Sequence, residues 1–206
     1  MQLSAPTGLG EPTCTDARAT RGGSTRTTRA KGLEAVQLAG TVLAAFRKAA
    51  FEQPALDGVA TELDRPVRAV AGDEDFVTAL LVEFRPDGTV RFVNCGHHPP
   101  LLLSPHGVPP RFVDTGEPQP PLGLGVRGTS TSLHWSPEQR MLLYTDGLVE
   151  ARDRSGGFFP LTQWAPVLVE PSLDGALQEL LAGLRDFSGA EVSDDVALLL
   201  AENVRR

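Results

Sequence analysis

The sequence predicts an α+β fold built on antiparallel sheets. Helical periodicity comes first, a run of short strands between Pro/Gly turns follows, and one more helical stripe leads into a final strand. Helices and strands are thus segregated along the chain, where a doubly wound parallel sheet would alternate them. The 206 residues are 41% apolar and 22% charged, with a mean hydropathy of −0.11. That composition suits one globular domain with a real core.

Residues 1–31 hold seven threonines, five basic and two acidic residues, and no Val, Ile, Phe, Tyr or Trp. They carry no helical or strand periodicity, so a disordered or non-native leader is expected there. From Gly32 onward, Leu33, Val36, Gln37, Gly40, Leu43, Ala44 and Arg47 trace helical turns with the apolar positions to one side. A second helix is expected from Pro54 to Val67, with Leu56, Val59, Ala60 and Leu63 inward. The period then switches. Phe76 to Phe84 is a β-rich run, Pro86-Asp87-Gly88 is a turn, and Thr89 to Asn94 alternates as a strand does. Short strands are expected at Leu101–Ser104, Arg111–Val113, Thr129–Trp135 and Arg140–Tyr144. Leu177, Leu180, Leu181 and Leu184 form the stripe of a helix from Leu173 to Phe187, and Val196 to Ala201 reads as a buried closing strand.

Nineteen basic against 26 acidic residues give a formal charge of −7 and a pI of about 5.1. That balance repels phosphate backbones and anionic lipid, which argues against nucleic acid or a membrane surface as partner. The longest charge-free apolar stretch, Ala35 to Phe46, has twelve residues, short of the roughly 18–20 that a membrane span requires. The first apolar stretch begins near Leu33, so no signal peptide is recognised and a cytoplasmic location is expected. Cys14 and Cys95 are too few for a disulfide framework or a zinc knuckle. Isoleucine is absent and arginine outnumbers lysine seventeen to two, the usage that GC-rich coding produces.

Four segments are candidates for chemistry. Tyr144-Thr145-Asp146-Gly147 follows the apolar run Met141 to Tyr144. Asp-Gly is a common strand-ending turn, and the same position would present Asp146 as a hard oxygen ligand for Mg²⁺ or Mn²⁺. Ser193-Asp194-Asp195 precedes the closing strand. Adjacent acids at such a point are ordinarily solvated, yet two carboxylates entering a buried strand need a counter-charge, which a metal would supply. In Asn94-Cys95-Gly96-His97-His98-Pro99-Pro100, neighbouring histidines on a strand point to opposite faces and cannot easily share one ion. A rigid Pro-backed loop, with Gly96 in a conformation closed to other residues, is the better reading, and nothing nearby is placed to activate Cys95. Pro121-Leu122-Gly123-Leu124-Gly125 lacks the glycine spacing of a dinucleotide loop and the Lys of a P-loop, and reads as a tight connection. There is no Gly-x-Ser-x-Gly elbow.

Five segments occur in one order: Phe76-Val77-Thr78-Ala79-Leu80-Leu81, then Asn94 to Leu102, Pro121-Leu122-Gly123, Tyr144 to Ala151, and Asp194 to Leu199. Together they resemble the catalytic domain of the PPM-type metal-dependent protein phosphatases, in the SpoIIE-like bacterial branch, over residues 31 to 202. The resemblance implies a phosphatase-like domain over residues 32–206 and an αββα sandwich, two antiparallel sheets flanked by helices. It implies hydrolysis of phosphoserine or phosphothreonine on a regulatory protein such as an anti-anti-sigma factor. In that family no side chain attacks phosphorus, and two Mn²⁺ or Mg²⁺ ions activate a water molecule. Carried over by motif, Asp146 and Asp194 are metal ligands, with Asp195, Gly147, Asn94, Gly96 and His97 as neighbours of the site.

The start of the chain departs from the family pattern. The family opens with a Gly-Gly-Asp-Phe-x-Asp strand and a Gly-Asp-Val-x-Gly-His/Lys-Gly turn, which supply further metal carboxylates. Here the turn falls at Arg26 to Gly32, with Thr27 at the aspartate position and Ala30 at a glycine. The first metal-bearing strands are therefore expected to be missing, leaving a sheet edge open. A second reading then stands beside the enzyme: a phosphatase-like binding module, impaired in catalysis, that captures a partner protein. The oligomeric state is not specified by the sequence.

Overall fold

A computed structural model describes residues 12–21, 28–70, 75–105, 107–189 and 196–204. In chain order its elements begin with β1 (Pro12–Arg21), α1 (Thr28–Glu52), α2 (Leu56–Val70), β2 (Asp75–Phe84), β3 (Thr89–Cys95) and β4 (Leu101–Leu103). There follow β5 (Arg111–Phe112), β6 (Thr131–His134), β7 (Arg140–Tyr144), α3 (Asp146–Val149), α4 (Ala165–Leu168), α5 (Leu173–Ser188) and β8 (Leu198–Glu202). The strands form two antiparallel four-stranded sheets, in the orders β1-β2-β3-β6 and β5-β4-β7-β8, so the predicted α+β class is the observed one. Each sheet belongs to its own compact unit, the first holding the described residues from Pro12 to His97 with Asp114–His134, the second His98–Val113 with the described residues from Trp135 onward.

In the first unit the sequence periodicity translates directly into packing. Leu56, Val59, Ala60, Leu63 and Val67 on one face of α2 are buried with Leu38, Val42 and Ala49 of α1. They share a cluster with Val77, Ala79 and Leu81 of β2 and Val93 and Cys95 of β3. Each large aliphatic among them contributes about 1.5–3 kcal/mol relative to exposure. Leu80, Val82, Val90 and Phe92 point to the other face and are also buried. Burial on both faces explains why β2 reads as a continuous apolar run and not as an alternation. The β2–β3 hairpin closes through Gly88 at φ +78, and the Thr89 N–H donates to Asp87 Oδ1 at 2.9 Å.

Two findings in this unit differ from the sequence expectations. The segment expected to lack regular structure contains β1, which pairs antiparallel with β2 from Pro12↔Glu83 to Arg21↔Asp75, with the register shifting between Thr15 and Ala17. The edge of β2 expected to lie open is therefore covered. Strand pairing draws only on backbone N–H and C=O groups, and a Thr-rich stretch has adequate β propensity without any apolar alternation. The first helix also extends further than its apolar stripe, over Thr28–Glu52.

In the second unit all five residues of β7 are buried. Leu142 and Tyr144 of β7, Leu101 and Leu103 of β4 and Leu200 of β8 share a cluster with Ala176, Leu180 and Leu184 of α5. Ser172 caps α5 by accepting from the Gly175 N–H at 3.1 Å, and Gly189 ends the helix at φ +72. Gly183 lies inside α5 because an ideal Cβ there would stand 1.9 Å from Trp164 Cη2. Arg140 is a buried cation with its donors assigned: it bonds the Leu168 carbonyl at 2.8 Å and the Glu170 carbonyl at 2.5 Å. It also meets Glu202 Oε2 at 3.3 Å. The closing strand is not fully buried as expected. β8 is a sheet edge, and only Leu200 among its residues is buried.

Candidate active site

Because β7 is packed along its whole length, the point where the chain leaves it is fixed. Tyr144, its last residue, is held at the ring's far end, where the hydroxyl donates to the Pro99 carbonyl at 3.0 Å. The His98 ring stacks beside it, with centroids 6.2 Å apart and planes 23° from parallel. Burial pushes the phenol up to about 12, so Tyr144 is neutral at physiological pH. The chain then turns into α3 through Thr145, the N-cap residue, at φ −81 and ψ 162. Asp146 is the first helical residue. Its Oδ1 accepts from the Gly147 N–H at 3.0 Å and its carbonyl from the Glu150 N–H at 2.8 Å. Gly147 and Leu148 are buried and Asp146 is half-buried. The order of the residues explains the result: an apolar strand locks the exit, and Asp-Gly opens a helix there in place of a hairpin.

In the first unit, Asn94 organises the loop that follows β3. Its Nδ2 donates to the His97 carbonyl at 2.9 Å and to Thr115 Oγ1 at 3.0 Å. Its Oδ1 accepts from the His97 N–H at 2.8 Å. Gly96 adopts φ +70, and a Cβ there would stand 2.8 Å from Pro121 Cγ, so only glycine fits. Cys95 is fully buried.

The structure thus brings Asp146 and Gly147 together in one helical turn, and Asn94, Gly96 and His97 together in one hydrogen-bonded loop of the other unit. Asp194 and Asp195 lie outside the described residues. Among the described residues, no three or more His, Cys, Asp or Glu side chains converge as a metal site. Asp146 has the right chemistry for Mn²⁺ or Mg²⁺, but one carboxylate does not complete an octahedral set. The described residues do not constitute an ion site by themselves.

Sequence reasoning missed Asp64, a carboxylate on the otherwise apolar inner face of α2. Its Oδ1 accepts from the N–H groups of Gly123, Gly125 and Val126 at 2.8, 3.1 and 3.2 Å, and its Oδ2 pairs with Arg68. Burial alone would raise its pKa. The N–H donors of Gly123, Val126 and Gly125 and the Arg68 charge outweigh that and hold the carboxyl below its ordinary value. The tight connection at Pro121 to Gly125 is therefore shaped around Asp64. The visible signal was an acid one turn after Ala60 and one turn before Arg68, on a stripe that is elsewhere aliphatic.

The chain matches the family model for stage II sporulation protein E over residues 30–203. Protein IcfG of Synechocystis sp. is 33% identical over 75 residues, which are 35% of this chain and 11% of that protein's length. The RsbU and RsbW domains of a Mycobacterium tuberculosis protein superpose with a TM-score of 0.68 at 22% identity, over 96% of this chain and 57% of that one. The SiaA-PP2C domain of Pseudomonas aeruginosa gives 0.69 at 17% identity, over 83% and 71% of the two chains. The catalytic domain of the serine/threonine protein phosphatase PstP, in complex with 2 manganese ions, gives 0.62 at 16% identity, over 98% and 94%. These likenesses establish the fold, that of PP2C-like phosphatase domains, and the matched span decides the family. The chain belongs to the stage II sporulation protein E family.

Proposed function

We propose that this chain is a metal-dependent protein serine/threonine phosphatase acting on a phosphorylated regulatory protein of the anti-anti-sigma type. The observation that carries the reading is Asp146, a half-buried carboxylate at the exit of a fully packed strand, within a span matched to the family. Asp146 and, by motif, Asp194 would hold Mn²⁺ or Mg²⁺. When bound, such ions supply hydroxide near neutral pH and offset charge on the phosphoryl oxygens. In the hydrolysis the water oxygen forms a bond to phosphorus, the phosphoester P–O bond breaks, and a proton passes to the departing serine or threonine oxygen. The chain's own contribution is position. The buried β7 and the Tyr144–Pro99 bond hold the strand end, and the Gly147 N–H orients the Asp146 carboxylate. The likeness to a structure with two bound manganese ions supports the choice of ion, and the likeness to RsbU and RsbW domains supports a regulatory-protein substrate.

A second reading, the catalytically impaired binding module, is favoured by Thr27 and Ala30, which stand where the family has an aspartate and a glycine. Release of p-nitrophenol from p-nitrophenyl phosphate, with and without millimolar Mn²⁺, separates the two. The enzyme reading expects Mn²⁺-dependent turnover that Asp146→Asn lowers by about a hundredfold or more. A wild-type chain that unfolds cooperatively yet releases nothing is the binding module.

A further inference from the structure

We infer that Thr145 is a positioning residue for Asp146, the joint that fixes the exit of β7 against the entry of β8. Thr145 is buried, with 5% of its surface exposed. A threonine at the N-cap ordinarily turns its hydroxyl onto an N–H of the first helical turn. Here it makes no such cap bond. Its Oγ1 accepts instead from the Ala197 N–H at 3.0 Å, while its own N–H donates to the Ala197 carbonyl at 3.1 Å.

The reason lies in the ladder. Tyr144↔Leu198 is the last register pair of β7 and β8, and the next pair in an antiparallel ladder would exchange two backbone bonds. The Thr145 carbonyl is already taken by the Leu148 N–H at 3.1 Å, the bond that opens α3. The hydroxyl therefore replaces the carbonyl in the ladder. One residue closes both structures: its carbonyl starts the helix whose first residue is Asp146, and its amide and hydroxyl hold the segment entering β8. Diverting the hydroxyl also leaves the Gly147 N–H to the Asp146 carboxylate, which orients that carboxylate.

The functional arm of this inference rests on the phosphatase reading, and the structural arm does not. Thr145→Val keeps the shape and removes the acceptor from the Ala197 N–H, whereas Thr145→Ser keeps the acceptor. Thr145→Ala replaces the valine variant if that one does not fold. Ser172→Ala removes the α5 cap and serves as a control for lost stability alone. Three readouts are taken: amide exchange of Ala197 by NMR, Mn²⁺ affinity by electron paramagnetic resonance, and p-nitrophenyl phosphate turnover. Thr145→Val should speed Ala197 exchange and weaken Mn²⁺ binding about 10- to 100-fold, with kcat/KM falling in parallel, while Thr145→Ser stays within about threefold of wild type. Ser172→Ala should lower Tm and leave Mn²⁺ affinity unchanged. The inference is overturned if Thr145→Val binds Mn²⁺ like wild type, or if Ser172→Ala weakens binding as much. If the wild type binds no Mn²⁺, the phosphatase reading fails and Ala197 exchange decides alone: faster in Thr145→Val and restored in Thr145→Ser upholds the joint, and no change overturns it.

Discussion

Asp64 lies in the unit built on β1-β2-β3-β6, enclosed by three backbone N–H groups and Arg68. Asp146, in the unit built on β5-β4-β7-β8, begins a four-residue helix at a strand exit and is oriented by the N–H of the next residue. Asp64 sits on the apolar stripe of α2 and Asp146 just beyond the apolar β7, and both are met by backbone donors. What separates them is the sequence distance of those donors. Those on Asp64 come from a loop 59 to 62 residues away, so its charge holds tertiary structure together. The Gly147 N–H on Asp146 comes from the next residue, so that bond fixes where the carboxylate points within its own helical turn. Asp64, which serves the fold, is enclosed by remote backbone, and Asp146, the carboxylate proposed for chemistry, is presented from a packed strand end.

Removing Asp64 is the severest test of that contrast. Asp64→Ala leaves the buried Val126 N–H and the half-buried Gly123 and Gly125 N–H groups without their acceptor, at up to about 1–3 kcal/mol each. A loss of about 2 kcal/mol or more is therefore expected in urea unfolding at neutral pH. A loss under about 1 kcal/mol would mean that the loop holds itself and the contrast is wrong. The pH dependence has a definite sign. The folded-state pKa lies below the ordinary 3.8, so the stabilisation is present above about pH 4 and disappears as the pH falls through the folded value. Asp87 and Asp153 are also held low, chiefly by the Thr89 N–H and by the Ser155 hydroxyl. The difference between wild type and Asp64→Ala isolates the contribution of Asp64.

Gly96→Ala probes the same unit at smaller cost. The left-handed conformation at φ +70 costs a residue with a Cβ about 1–2 kcal/mol, and the contact with Pro121 Cγ adds to it. A fall in Tm of about 4–8 °C follows for a chain of this size. No fall would show that the Asn94 loop can re-form without its glycine.

The parts of this molecule legible in the sequence are those whose cause is local. The α2 stripe, the Asp87-Gly88 hairpin and the α5 leucines were visible because period and turn chemistry lie within a few residues. The strand leading to Asp146 was visible for the same reason. β1 was not, because its pairing with β2 uses backbone groups that every sequence has. Asp64 was not, because its partners lie some sixty residues on, at 123, 125 and 126, in a loop that reads as a plain glycine turn. The four-residue α3 is too short to show a period. β8 looked buried from its composition, since an edge position is set by sheet order and not by the strand itself.

The smallest effect tests the other unit. Tyr144 is the one tyrosine in the chain, so the ultraviolet phenolate band of the metal-free protein reports it alone. The folded protein should titrate at about 12 and the unfolded one at the ordinary 10.0. Because burial raises the folded value, the contribution to stability is fully present below 10.0 and is lost as the pH climbs towards about 12. Tyr144→Phe should therefore flatten alkaline unfolding while losing about 1 kcal/mol at neutral pH with the Pro99 bond. A phenolate that appears at 10.0 with the fold intact would show the ring to be wetted and the β7 exit to be loose. Asp146 would then be presented from a mobile strand end, and the distinction between an enclosed and a presented carboxylate would fail where function needs it.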